Sequence, residues 1–146
     1  MAAALEADIA PIRELVKQHR FAEALRALDA LAPAHADHCE LLYLRAVSQR
    51  MRGDTTAALA TLASLERSHP RFSRLYQERG YCYVALKRAP EAIEAFRRGV
   101  NLNPALPASW HMLEGLYRWP EHARESLLAA RYEELFRQLA ASAQKL

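Results

Sequence analysis

The sequence predicts an all-α fold, a solenoid of about four helix-turn-helix hairpins with a long C-terminal helix. Three observations predict it. Composition is helical: Ala, Leu, Glu and Arg dominate, only four Gly occur, and no long alternating Val, Ile or Thr segment suggests a sheet. The chain also repeats itself at a shift of about 34 residues, the kind of period that marks stacked supersecondary units. That shift carries Ala92 to Ala58 and Ala24, Phe96 to Leu62 and Leu28, and Pro104 to Pro70. Short words recur in the same register, Glu23-Ala24-Leu25 with Ala57-Ala58-Leu59 and Glu91-Ala92-Ile93, and Arg45-Ala46 with Arg79-Gly80. Finally, 51% hydrophobic residues supply enough apolar surface for a continuous core between stacked hairpins.

The stretch Tyr76 to Tyr117 shows the pattern most fully. Tyr76, Gly80 and Tyr83 form one stripe of a first helix, and Ala92, Phe96 and Gly99 one stripe of a second, closed by Asn103 and Pro104. Gly80 and Ala92 remove bulk where the helices cross, while the aromatic rings fill the space beside them. This pattern resembles the tetratricopeptide repeat, whose signature is an aromatic, a small residue and a Tyr, then Ala, an aromatic, a small residue and Pro. One position departs, with Arg79 where Leu is usual. The resemblance implies a right-handed solenoid whose concave face, lined mostly by first helices, binds extended or helical peptides.

Taken in order, the chain reads as one domain over 1–146, with repeats at about 5–38, 39–72, 73–106 and 107–146. Repeat one has a first helix from near Leu5 to about Gln18 and a second from Phe21 to Leu31, with Ile9, Ile12, Leu15 and Val16 as its apolar stripe. Pro11 is expected in the first turn of a helix beginning near Ile9, where a proline loses little. In repeat two, Leu41, Leu42, Leu44 and Ala46 mark the first helix, Asp37 is its expected cap, and Gly53-Asp54 breaks the chain before a second helix capped by Asp54 or Thr55. In repeat three, Pro90 enters the second helix at its first turn and Asn103-Pro104 ends it. Repeat four opens at Pro107 and sets Trp110, Leu113 and Tyr117 at the signature spacing, with Glu114 in the usual small position and Gly115 after it. Trp119-Pro120 then starts a helix to about Ala141, whose stripe of Leu128, Tyr132, Leu135, Phe136 and Leu139 has no later helix to cover it. A solenoid end normally needs a polar outer face, so this helix folds back as a cap, meets another chain, or precedes more polypeptide.

A formal charge of +3, with acids interspersed among the bases, makes no basic stripe of the kind that nucleic acid requires. The start lacks a basic leader and no apolar run approaches a membrane span, so a soluble, cytoplasmic chain is expected. Cys39 and Cys82 give no disulfide framework, and Cys82 reads as an inert packed thiol. The four glycines are isolated and no Ser sits in a nucleophile elbow, so neither catalysis nor a cofactor is expected. His35, His38 and Cys39 are zinc-type ligands close in sequence, but without a second ligand pair they read as a polar turn and not a metal site.

Helical spacing places Glu40, Tyr43, Val47, Arg50 and Met51 of repeat two on the expected groove, with Arg74, Gln77, Tyr81 and Val84 of repeat three. Repeat four adds His111, Gly115, Arg118 and Trp119. Tyr43, Val47, Arg50, Met51, Arg74, Gln77, Tyr81, His111 and Arg118 are the candidate peptide-binding residues, because aromatic and Arg side chains anchor interfaces. The carboxylate clamp of tetratricopeptide adaptors for heat-shock chaperones is not reproduced, since its places hold Ile9, Arg13, Leu44, Arg74 and Glu78; Arg13 and Arg74 remain able to contact acidic groups.

The run PRFSRLYQERGYCYVALKRAPEAIEAFRRGVNLNPALPASWHMLEGLYR, with LYLRAVSQRMRGD before it, is also similar to the amino-terminal region of bacterial tetratricopeptide-containing sulfotransferases, over about Leu41 to Arg118. That resemblance implies an enzyme domain downstream, using a sulfonate-donor nucleotide, whose phosphate-binding motif this chain lacks. The expected function is a protein-interaction scaffold or adaptor holding a peptide or helix in its groove. Alternatives are a docking or substrate-recruiting arm of such a sulfotransferase, and a structural module that forms a homo-oligomer through its final helix.

Overall fold

The structure, a computed structural model, describes residues 2–118 and 123–144. Among these residues there are eight helices and no strand: α1 (Ala2–Lys17), α2 (Phe21–His35), α3 (Cys39–Met51), α4 (Thr55–Ser68), α5 (Ser73–Ala85), α6 (Ala89–Leu102), α7 (Pro107–Leu116) and α8 (Ala123–Gln144). The fold is all-α, with helices in the order that the period predicts. It divides into two compact units, Met1–Glu78 and Arg79–Leu146.

In the first unit, Ile9 and Ile12 of α1, Ala24 and Leu28 of α2, and Leu41 and Leu44 of α3 make one buried cluster. Helix α1 packs on α2 and α3, and α3 packs in turn on α2 and α4. Ala58, Leu62 and Leu65 are the buried stripe of α4. Pro11 is not in a first turn: α1 begins at Ala2 and carries Pro11 in its interior. A proline there removes one helical hydrogen bond and crowds the preceding turn, yet the buried Ile9 and Ile12 on either side hold the helix through it. Helix α2 likewise runs past Leu31, through Pro33, to His35.

In the second unit, Ala92, Phe96 and Val100 of α6 meet Leu106, Leu113, Tyr117 and Ala129 in a second cluster. Helix α7 packs on α6 and on α8. Gly80 of α5 lies against Phe96 of α6: a Cβ placed on it would lie 2.5 Å from the Phe96 ring. The sequence-based expectation of a small residue at that crossing is therefore met by the packing itself.

Three inter-helix turns share one construction. His19, Gly53 and Lys87 each take positive φ, of 60°, 84° and 59°. Each is flanked by the bond pair of a Schellman motif: Arg20 N to Leu15 O and His19 N to Val16 O, Asp54 N to Gln49 O and Gly53 N to Arg50 O, Arg88 N to Tyr83 O and Lys87 N to Val84 O. Asp54 then caps α4 by accepting from Ala57 N at 3.2 Å. Asp37 does not cap α3; His38 stands at that position without a side-chain cap, and the Asp37 carbonyl pairs with His69 Nε2 at 2.8 Å. Pro90 and Pro107 lie in the first turns of α6 and α7, and Asn103 follows the last turn of α6.

Candidate functional site

In the first unit, α3 brings Tyr43, Val47 and Arg50 onto one side of the helix, as their spacing requires. The side chain of Arg74, in the first turn of α5, lies across from Tyr43. Its guanidinium carbon is 4.7 Å from the centre of the Tyr43 ring and 5.1 Å from that of Phe72. Tyr43 and Phe72 meet edge to face with centroids 5.6 Å apart. A cation over two rings is held in place at little entropic cost, and Arg74 is solvent-exposed. Phe72 was absent from the sequence-derived set, because it precedes α5 and belongs to no helical stripe.

Arg50 has a different position. Its Nε donates to Glu78 at 2.6 Å and its Nη2 at 3.2 Å, and the Glu78 carboxylate is buried. A buried carboxylate without such a partner is strongly destabilising, so Arg50 ties α3 to α5. Arg13 is similarly engaged: Nε and Nη2 pair with Glu40, while Nη1 and Nη2 reach Glu6 at 2.6 and 2.9 Å. Hydrogen bonds from Arg13 hold both carboxyl groups below the ordinary glutamate range. Arg13 is thereby occupied within the chain. Val47 and Gln77 are half-buried and Met51 is exposed.

In the second unit, Tyr81 lies edge-on to Phe96 with centroids 5.5 Å apart, against the core. His111 Nδ1 is 3.1 Å from Glu133 on α8, which also pairs with Arg137. Arg118 is exposed, 3.8 Å from Glu114, and Gly115 faces open space. Trp119 lies outside the described residues. A cleft of about 380 Å³ not anticipated from the sequence opens between α6, α7 and α8, lined by Ile93, Val100, Trp110, Leu113 and Tyr132 among others. Trp110 and Tyr132 stack at 4.8 Å there, and burial raises the phenol pKa of Tyr117.

Among the described residues no three His, Cys, Asp or Glu side chains converge as a metal site would require, and no helix is long and apolar enough to cross a membrane. Cys39 is half-buried and Cys82 is buried.

A tetratricopeptide-repeat family model matches residues 12–71 and 52–108, and the chain belongs to that family. Solved structures of MamA share the fold. One crystal structure of MamA is 16% identical, covering 97% of this chain and 86% of that one at a TM-score of 0.72. The MamA RS-1 ArsTM double mutant is 16% identical, covering 92% and 76% at 0.74. MamA 41-end from Desulfovibrio magneticus RS-1 is 18% identical, covering 94% and 76% at 0.68. At such identities the likeness concerns the fold alone. No curated protein matches the sequence.

Proposed function

We propose that the chain is a non-catalytic interaction scaffold that binds an extended or helical segment of a protein partner on the face of its first unit where α3 meets the start of α5. The observation that carries this reading is the Arg74 guanidinium held over Tyr43 and beside Phe72. Arginine and aromatic anchors ordered before binding contribute most of the energy of many interfaces, because little freedom is left to lose. Family membership supports the reading, since stacked hairpins present rigid extended surfaces.

The test is capture of partners from the native lysate on the immobilised chain, followed by affinity measurement with the captured protein. Tyr43→Ala and Arg74→Ala are expected to weaken binding at least about 10-fold, the range of hot-spot truncations. Circular dichroism checks that helicity is kept, and His111→Ala, in the other unit, is expected to bind as wild type. Equal affinity of all three variants for the captured partner would remove this face from the proposal.

A further inference from the structure

We propose that α8 pairs with α8 of a second copy of this chain, antiparallel about a twofold axis. This inference concerns the second unit and stands apart from the binding face of the first.

Helix α8 has 22 residues, whereas α7, on which it packs, has 10. One side of α8 is already used: Ser126 Oγ donates to the Glu114 carbonyl at 3.0 Å, Ala129 is buried, and Glu133 pairs with His111. A second stripe, of Leu128, Tyr132, Leu135 and Leu139, is left between 41% and 54% exposed, even with the Tyr132 ring stacked on Trp110. These residues follow one another at intervals of four, three and four, the alternation of a two-helix seam. Leu127, at 75% exposure, falls outside that stripe.

The spacing reads the same in both directions, and this argues for a second copy over an unrelated helix. Under a twofold axis Leu128 meets Leu139 of the second copy and Tyr132 meets its Leu135, and the same two layers recur in reverse. Each a-type side chain thus faces a d-type one, as antiparallel packing requires. Charge is compatible with pairing: Arg124, Arg131 and Arg137 balance Glu125, Glu133 and Glu134 within α8. The antiparallel direction also brings the C-terminal carbonyls of one α8 toward Arg124 of the other, the favourable sign for a helix dipole. The cleft of about 380 Å³ beside Leu128 and Tyr132 has room for the Leu139 side chain of the second copy.

Light scattering of the whole chain on a sizing column tests the pairing. The wild type is expected at twice its 16.5 kDa at about 100 μM, well above a Kd in the micromolar range. Leu135→Glu is expected to run as a monomer with unchanged helicity, and Leu127→Glu to remain a dimer. Direction is read by oxidative cross-linking, with wild type as the reference for Cys39 and Cys82. Leu128→Cys and Leu139→Cys are expected to cross-link when mixed and not separately. A monomeric wild type, equal dissociation by Leu127→Glu and Leu135→Glu, or self-cross-linking of Leu139→Cys alone would each overturn the proposal.

Discussion

Gly80 shows how one side chain decides a helix crossing. Phe96 is fully buried, so its ring cannot swing away from a Cβ placed 2.5 Å from it. Gly80→Ala is expected to cost about 1–3 kcal/mol in urea unfolding, the range of overpacking a core. Gly115→Ala serves as control, since nothing lies within 4 Å of the added carbon. A second residue-scale prediction concerns Glu6 and Glu40, whose folded pKa values are lowered by Arg13. Their contribution is fully present above the unfolded glutamate value of about 4.3 and is lost as pH falls through the depressed folded values. Urea unfolding at neutral pH and at about pH 3 should therefore show a larger acid loss for wild type than for Arg13→Gln. Gly80, Ala92 and Phe96 were legible in the sequence because the repeat signature brings them together. The partners of Arg13 and Arg50 were not, because Glu40 and Glu78 lie 27 and 28 residues away and no local pattern links them.

At the scale of elements, the turns repeat more faithfully than the residues that make them. His19, Gly53 and Lys87 share the left-handed conformation, which favours glycine, but only one of them is glycine. His19→Gly and Lys87→Gly are each expected to stabilise by about 1 kcal/mol, and Gly53→Ala to destabilise by a similar amount, measured by urea unfolding. The sequence signalled only the Gly53 break; the other two turns are imposed by the helices they join. Pro11 makes the same point in the opposite sense. Local propensity places a proline at a helix start, whereas the core packing of Ile9 and Ile12 carries α1 through it.

On the scale of the whole molecule, two surfaces with different chemistry stand out. The first unit presents Arg74 set on aromatic rings, the face proposed to bind an extended or helical partner segment. The second presents the α8 stripe, with spacing that complements a copy of itself. The sequence by itself determined the class of fold, the hairpin period, most helix limits and the bare stripe on the last helix, because apolar periodicity and proline punctuation act locally along the chain. Only the tertiary structure decided which arginines are bound internally and which is displayed, that Phe72 joins Tyr43, and that a cleft opens beside α8. Those outcomes depend on side chains brought together from distant positions, and their pairing is settled by packing and charge rather than by sequence spacing.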